Sequence, residues 1–379
     1  MAEDVAAPLD LPPFDRAAMD GYAVRAEDVE GSSFSSPRVL KLVGSSEVGK
    51  PPSTVVSRGE AVRIDNGAPL PKGADAVVPL EYAREISERL EVYRSVVRWE
   101  NVSRKGEDVS RGELVLRRGK VLRPWDIALL QALGLEEVEI RAPRATVLST
   151  GTELQETLGD ALAKPGSIVD TNRPMLARLL EACGCDVVKT EIVRDTDTTT
   201  VLRKLEEALE LADLVVVTGG CSVGRKDYVA KALNKLGDMV FHGVAIRPGM
   251  PTAAAFVGKS LVVGLPGSPV AAFVSYKLFV ETSLSVLTGA RDPRPGPLEA
   301  NLAEKVDSTP GFMDLVRAVY SEGVVRPVRR RGATLLSSLS KSHGVIAVPE
   351  DYEGLRKGTR VRLYLHWQSW LDVLEGEVP

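Results

Sequence analysis

The chain has 379 residues, 44% of them hydrophobic and 26% charged, a composition typical of a globular protein with roughly two to four domains. Aromatic residues make up 5% and the formal net charge is −4, so neither a base-stacking surface nor general binding to a nucleic-acid backbone is favoured. The three cysteines follow no metal-site or disulfide spacing, and the sequence shows no signal peptide or membrane-spanning run. We therefore expect a cytoplasmic protein without a nucleic-acid or membrane partner.

The N-terminal segment is predicted to be a loop that leads into a strand. Pro12, Pro13 and the Asp20-Gly21 step favour a tight turn before a strand over 22–24. Asp20 has two interpretations: its carboxylate either hydrogen-bonds its own turn or is a functional group on a fixed loop.

Residues 37–109 have the pattern of a small β domain inserted between two parts of another domain. Short alternating runs, separated by turns rich in Gly, Pro and Ser, lie at 38–43, 61–64, 76–80 and 90–97. A helix follows from Pro124, and Gly134 is its predicted end.

Between residues 145 and 289 the chain alternates strands and helices. Apolar runs predict strands at 146–149, 186–193, 214–217, 244–246 and 261–263. Helical spacing starts at Asn172, near Val201 and at Tyr228, and a long apolar helix ends near Leu287. Repeated βα units imply a mainly parallel sheet with helices on both faces, whose ligands bind outside the carboxyl ends of the strands.

Three glycine-containing turns follow predicted strands at this edge, at Thr150-Gly151, Gly219-Gly220 and Gly264 to Ser268. Glycines let backbone N–H groups approach a phosphate, and a helix N-terminus adds partial positive charge. The 218–224 turn matches neither the P-loop nor the dinucleotide-binding motif. Taken alone, it could be a tight βα turn that Asp227 caps.

The side chains near these turns combine anion-binding groups with acids. Ser222, Ser268 and Arg247 could hold an anion, and the acids are Glu153, Asp195 and Asp227. This combination suggests a phosphate or pyrophosphate bridged by magnesium. His242, His343 and His366 have no motif partners and are interpreted as surface or capped histidines rather than catalysts.

The last 80 or so residues, after a proline-rich linker at 293–297, are again predicted to be β. Candidate strands lie at 314–320, 324–328, 345–348 and 359–367. Residues 334–340 are predicted to be turn-like, and the arginines at 326 and 329–331 to form a solvated strand face.

Six motifs in order resemble a known family. They are Pro13-Phe14-Asp15 with Met19-Asp20-Gly21-Tyr22, Arg63-Ile64 with Gly73-Ala74-Asp75, Ser149-Thr150-Gly151 with Glu153-Leu154, Gly219-Gly220 with Asp227-Tyr228, Pro248-Gly249 with Pro251, and Leu265-Pro266-Gly267 with Pro269. The set resembles the molybdopterin molybdenumtransferase (MoeA) family, which is related to the E domain of gephyrin.

The resemblance implies an elongated homodimer of multidomain α/β plus β subunits. A linking and dimerisation domain would comprise 1–36 and 110–143, and an inserted β domain 37–109. Residues 144–290 would form a central doubly wound α/β domain, similar to MogA and MoaB, that binds molybdopterin. Residues 291–379 would form a small β-barrel-like domain.

The implied reaction is a step of molybdenum cofactor biosynthesis. Adenylylated molybdopterin would be cleaved with magnesium, AMP released, and molybdate or tungstate inserted. The molybdopterin adenylyltransferase would be a further partner. The sites would lie between the α/β domain of one subunit and the terminal regions of the other.

Site residues follow from the motif match. Asp20, Glu153, Asp195 and Asp227 are expected to be the catalytic acids, with Asp227 and Glu153 as metal ligands. The remaining residues are expected to bind substrate or oxyanion: Gly151, Gly219, Gly220, Ser222, Arg247, Pro266, Gly267, Ser268, Pro269 and Arg317.

Several positions depart from the family pattern. The family usually has threonine at Asn66, aspartate at Thr152, a basic residue at Gly243, lysine at Met250, asparagine at Ser268, and serines near Ala271 and Ala333. Loss of a lysine and two hydroxyls predicts a remodelled oxyanion site, with either a preference for tungstate or weak activity. The helical lead-in usual before Ala2 is also missing, which predicts altered dimer packing.

Two alternatives stay open. The chain could be a molybdopterin-binding scaffold without turnover, which would bind pterin tightly and release no AMP. It could also be a molybdopterin adenylyltransferase, acting one step earlier on ATP and unadenylylated molybdopterin, although the additional β domains and the Asp20 loop argue against this.

Overall fold

A computed structural model of the chain describes residues 1–194, 197–221, 227–290, 296–328 and 333–367. The chain divides into two compact units, Met1–Ile140 and Arg141–Pro379, called here the N-terminal and C-terminal units.

The N-terminal unit is built mainly from β-strands. Its helix is α1 (Pro124–Ala132), and short 3-10 turns lie at Ala26–Val29 and Leu80–Tyr82. Its strands are β1 (Val5–Ala6), β2 (Arg16–Ala17), β3 (Gly21–Val24), β4 (Arg38–Ser46), β5 (Glu60–Ile64), β6 (Ala76–Pro79), β7 (Ala83–Ile86), β8 (Arg89–Val92), β9 (Val102–Ser103) and β10 (Leu114–Leu116).

A six-stranded sheet in the order β6-β3-β5-β4-β8-β7 forms most of this unit. Strand β3 is buried along its length and lies inside the sheet, although it precedes the predicted boundary at residue 37. Gly21 is required there because a Cβ atom would lie 2.1 Å from the carbonyl oxygen of Val78. The Asp20-Gly21 turn is therefore attached to the core of the sheet.

The C-terminal unit alternates strands and helices and then continues as strands. Its helices are α2 (Leu158–Ala163), α3 (Asn172–Ala182), α4 (Thr198–Leu209), α5 (Tyr228–Leu236), α6 (Pro269–Ser275), α7 (Glu281–Thr288) and α8 (Ser337–Ser340), with a π-helical turn at Tyr276–Val280. Its strands are β11 (Arg144–Thr150), β12 (Leu154–Gln155), β13 (Ile168–Val169), β14 (Asp186–Val193), β15 (Leu214–Thr218), β16 (Asp238–His242), β17 (Ile246–Arg247), β18 (Ala253–Val257), β19 (Ser260–Leu265), β20 (Leu298–Leu302), β21 (Val306–Asp307), β22 (Met313–Ser321), β23 (Val324–Pro327), β24 (Gly344–Val348), β25 (Gly354–Leu355) and β26 (Arg360–Leu365).

The first sheet of this unit has the order β14-β11-β15-β19-β18-β16. Neighbours from β14 to β19 are parallel, as predicted, whereas β18 and β16 add an antiparallel hairpin that was not predicted. Alternate residues of β15 face two separate cores, Val216 towards α3 and α6 and Val217 towards α4 and α5. This burial on both faces explains the continuous apolar run of β15.

The second sheet closes on itself. Strands β22, β23, β20, β26 and β24 pair in a ring, because β24 also pairs with β22, and together they form a small barrel. The predicted strand 244–246 was wrong in its placement: β17 comprises Ile246–Arg247 and pairs with β22 of the barrel. The predicted turn over 334–340 includes the short helix α8.

The segment Pro269–Thr288 connects the two sheets. Among the described residues it is a helix long and apolar enough to cross a membrane, yet 67% of its apolar window is buried inside the protein. Phe273 and Val274 pack against Leu315 and Val345 of the barrel, while Ala272 and Tyr276 pack on the first sheet. Its apolar character is therefore that of a core helix.

Candidate functional site

Three turns meet where strand order reverses in the first sheet. The chain leaves β11 towards β14 and returns to β15 on the other side, so the carboxyl ends of β11 and β15 border a crevice of the kind that binds ligands in α/β folds. A Cβ atom on Gly219 would lie 2.6 Å from the carbonyl oxygen of Thr150. The Gly219 amide donates to the carbonyl of Leu265 at 3.0 Å, and a Cβ on Gly267 would be 3.6 Å from the Cα of Gly219. We call this edge of the sheet the rim.

Asn172 holds two of these turns together. Its side-chain amide donates to Thr218 Oγ1 at 3.0 Å and to the carbonyl of Gly267 at 2.8 Å. The Thr218 hydroxyl donates to the carbonyl of Pro266 at 2.9 Å. Asn172 was predicted only as a helix start, because its partners are 46 and 95 positions away in sequence.

Asp170 is a second rim residue that sequence reasoning missed. Its carboxylate is buried, accepts from the Ser149 hydroxyl at 3.0 Å, and pairs with the Arg173 guanidinium at 2.9 Å. The Arg173 backbone amide also donates to it at 3.1 Å, as in a helix N-cap. The available signal was Asp170-Thr171 directly before the start of α3.

Asp227 lies at the N-terminal end of α5 and is buried. Its Oδ1 atom accepts no hydrogen bond from the described part of the chain, and its Oδ2 atom is 3.7 Å from His242 Nε2. Burial raises the pKa of the Asp227 carboxyl above its ordinary value, and His242, the backbone amide of Ala230 and Lys231 oppose that shift. The buried oxygens Thr150 Oγ1 and Asn172 Oδ1 also have no partner among the described residues. Such buried oxygens need a hydrogen-bond partner, which a ligand or a water would supply.

Glu153 is exposed and lies beside the rim. A Cβ on Gly151 would be 2.6 Å from its Oε1 atom, so its carboxylate folds back over the Gly151 turn. The Glu153 carbonyl accepts from the Ile168 amide at 2.9 Å, which fixes the backbone.

A cavity of about 780 Å³ lies between the first sheet and the barrel, both within the C-terminal unit. Arg247 lines it and donates from Nε and one terminal nitrogen to the two carboxylate oxygens of Asp314, each at 2.5 Å. The Ser308 hydroxyl also donates to Asp314, at 2.7 Å. Asp314 raises the pKa of Arg247, so this guanidinium stays charged.

Arg317 lines the same cavity from β22. It is 6% exposed, and burial lowers the pKa of its guanidinium. A buried guanidinium at a cavity wall is suited to a tetrahedral oxyanion, whose oxygens match its planar fork.

Four of the departures from the family pattern meet in this cavity: Met250, Ser268, Ala271 and Ala333 all line it. Pro266 lines it as well, and Pro269 is the first residue of α6. These four departures thus lie in the wall that Arg247 and Arg317 also line.

Asp20 belongs to the N-terminal unit. It is exposed, and its carboxylate accepts from the backbone amide of Asn66 at 2.8 Å, so it joins the 65–75 loop to its own turn. The predicted residues Asp195 and Ser222 lie outside the described residues.

Magnesium, which the resemblance implies, prefers carboxylate oxygens and keeps several waters when substrate phosphates complete its shell. The described ranges contain no group of three or more His, Cys, Asp or Glu side chains placed so that they could hold a metal ion together. The unpartnered Oδ1 of Asp227 is a ligand of the required type. This oxygen fits a metal whose remaining positions a bound substrate and water would complete.

Family models match successive parts of the chain. The MoeA N-terminal region (domain I and II) matches residues 1–134, a probable molybdopterin binding domain matches residues 146–285, and the MoeA C-terminal region (domain IV) matches residues 299–366.

Full-length relatives are similar as well. A putative molybdopterin biosynthesis protein of Methanocaldococcus jannaschii is 37% identical, over 96% of this chain and 88% of the relative. A molybdopterin molybdenumtransferase of Staphylococcus aureus is 34% identical, over 92% of this chain and 82% of the relative. A crystal structure of the molybdopterin biosynthesis moeA protein of Pyrococcus horikoshii superposes with a TM-score of 0.81 and 33% identity, over 96% of this chain and 91% of that one. The chain therefore belongs to the molybdopterin molybdenumtransferase (MoeA) family and is a transferase of molybdenum cofactor biosynthesis.

Proposed function

We propose that the chain inserts molybdate or tungstate into adenylylated molybdopterin, with magnesium, and releases AMP. The observation that carries this proposal is the buried Asp227 carboxylate, whose Oδ1 has no partner among the described residues, at a rim of glycine turns. A carboxylate beside an anion site is favourable only when a cation lies between them.

The rim would hold the pyrophosphate link. The turn at Gly219-Gly220 would let the substrate approach the backbone closely, because glycine carries no side chain, whereas at Gly151 the Glu153 carboxylate lies over the turn. Asp227 and Glu153 would hold magnesium, which when bound would neutralise charge on the pyrophosphate. The Asn172 and Thr218 hydrogen bonds would keep the turns in place.

The 780 Å³ cavity would receive the metal oxyanion as substrate. Arg317 would face the oxyanion from the barrel, and Arg247 would be oriented by Asp314. Met250, Ala271 and Ala333 supply no charge or hydroxyl to the wall, so we infer weaker discrimination between oxyanions than a wall with additional donors would give.

The test is AMP release from adenylylated molybdopterin with magnesium and molybdate, tungstate or neither. We expect release that depends on the oxyanion and falls at least about tenfold in Asp227→Asn, since a metal ligand is weakened. The matched control is Asp238→Asn, which changes an exposed acid on β16.

Two outcomes would replace the proposal. Tight pterin binding without AMP release under either oxyanion would identify a scaffold. Adenylylation of molybdopterin from ATP would identify an adenylyltransferase.

The proposal has four further parts: a homodimer, a cytoplasmic location, a contact with the adenylyltransferase and a catalytic role for Asp20. Sedimentation at several protein concentrations tests the homodimer.

A further inference from the structure

His242 lies at the rim because of the hairpin that ends the first sheet. Strand β16 is antiparallel to β18, and β18 is antiparallel to β19, so β16 runs in the same direction as β19. His242 is the last residue of β16. Its position is therefore at the same edge as the carboxyl ends of β11, β15 and β19.

A β-bulge selects the face of the sheet on which His242 lies. Met239 pairs with Ala255 and Phe241 with Ala254, so Val240 is an extra residue in the strand. Consequently Met239 packs into the core beneath α5, whereas the Phe241 ring packs against Phe279 at a tilt of 50° on the opposite face.

After the bulge, His242 pairs with Ala253, which belongs to the core beneath α5. A regular strand would place His242 on the face opposite α5, because side chains alternate. Bulges commonly re-aim a side chain beside a functional site.

The imidazole lies near two residues of the segment that connects β15 to α5, Cys221 and Asp227. Nε2 of His242 is 3.7 Å from Asp227 Oδ2 and 3.4 Å from the carbonyl oxygen of Cys221. The same carboxylate has its other oxygen, Oδ1, buried and without a partner in the described parts of the chain. Oδ2 of Asp227 is thus the oxygen that faces His242.

We propose that His242 is a positioning residue that orients the Asp227 carboxylate so that Oδ1 presents to a divalent cation. This inference rests on the proposed function, in which Asp227 is a metal ligand. Partners that orient a metal-ligating carboxylate from behind typically change metal affinity by about 10- to 100-fold when removed.

The test measures cation binding rather than turnover. Mn²⁺ binding in the presence of inorganic pyrophosphate is followed by electron paramagnetic resonance for wild type, His242→Leu and His242→Gln. We expect about tenfold weaker Mn²⁺ binding in His242→Leu. Gln places an amide nitrogen near the position of Nε2, so His242→Gln should recover most of the affinity.

Controls separate this inference from a structural effect and from the proposed function. His343→Leu, in the barrel, should leave Mn²⁺ binding unchanged, and thermal unfolding of the His242 variants should match wild type. Unchanged Mn²⁺ affinity in His242→Leu, or equal losses in the Leu and Gln variants, would overturn the positioning role. If Asp227→Asn also left Mn²⁺ affinity unchanged, the metal role of Asp227 itself would fail.

Discussion

Gly219 is the residue at which the turns of the rim approach most closely. Its φ of +89° is unfavourable for other residues, and a Cβ would lie 2.6 Å from the Thr150 carbonyl oxygen. We expect Gly219→Ala to lower the free energy of unfolding by about 3 kcal/mol and to abolish AMP release. Gly258→Ala is the matched control, because Gly258 has a φ of +61° and nothing within 4 Å of its Cβ position.

The control should cost about 1 kcal/mol, the penalty of the left-handed backbone alone. Urea unfolding measures both variants. Equal losses in the free energy of unfolding for the two variants would show that the rim turns can accommodate a methyl group at Gly219.

Substitutions at Met250 test whether charge in the cavity wall affects oxyanion binding. It is 43% exposed and lines the cavity near Arg247. In Met250→Lys an added ammonium should strengthen oxyanion binding by about 1 kcal/mol, roughly a fivefold lower half-saturating concentration. Met250→Gln adds polarity without charge and is the control. If both variants behave alike in the AMP-release assay, charge at this position is irrelevant to the oxyanion.

Whether the role of a side chain could be predicted depended on how far away in the sequence its partners lie. The glycines of the rim and Asp227 were predictable, because turn geometry and helix ends are local features. Asn172 and His242 were not, since the first bonds a turn 95 positions away and the second depends on a strand that was not predicted. Asp170 carried a local signal, because an aspartate two residues before a helix start is typical of an N-terminal cap.

Among the elements, the parallel strands were predicted and the β16–β18 hairpin was not. Strand β18 begins with three alanines, which have low strand propensity, so packing rather than propensity decides its conformation. The bulge at Val240 leaves no pattern in the sequence that distinguishes it from regular alternation. Strand β17 has two residues and is defined by its barrel partner.

His366, the residue after β26, is expected to make the stability of the barrel depend on pH. It contacts Ser342 Oγ at 2.8 Å and the edge of Phe273, and burial lowers the pKa of its imidazole to about 4. An unfolded histidine has a pKa near 6.5 and so takes up a proton first as the pH falls. Stability is therefore full above about pH 6.5 and decreases as the pH falls towards 4.

Between pH 7 and 5 this residue should account for a loss of about 2 kcal/mol at most in the free energy of unfolding. Chemical unfolding at several pH values measures it, and His366→Gln should flatten the dependence over that interval. Carboxylates with lowered pKa, such as Asp126 and Glu191, lose stabilisation only at lower pH. A variant with the wild-type slope would exclude His366 as the cause.

For the whole molecule, the predicted fold class was confirmed: a doubly wound α/β region, a separate β-rich N-terminal unit and a small closed barrel. Repeated βα units and alternating strands are strong signals, because each reflects burial along an entire element. The domain boundaries remain predictions, and the place of β3 inside the N-terminal sheet shows why boundaries are difficult: a strand can join a sheet encoded mostly later in the chain.

Within the C-terminal unit, we expect the first sheet and the barrel to unfold together. Leu278 and Phe273 of the connecting helix share one core with Leu315, Val345 and Tyr364. In native-state hydrogen exchange, central amides of β15 and β24 should therefore open with the same free energy. Phe273→Ala should lower both together by about 3 kcal/mol. Earlier exchange of β24 in wild type would show that the barrel opens independently.

The pairing of β17 with β22 restricts how a ligand can enter and leave the cavity. The Met313 amide donates to the Ala245 carbonyl at 2.8 Å, and Arg247 and Asp314 are joined by two hydrogen bonds. The two walls of the cavity therefore cannot separate easily, because their separation would break the β17–β22 pairing and the Arg247–Asp314 ion pair at the same time. Dissociation should be gated by small rearrangements of wall side chains such as Met250, and its rate should respond to their bulk more than to solvent viscosity.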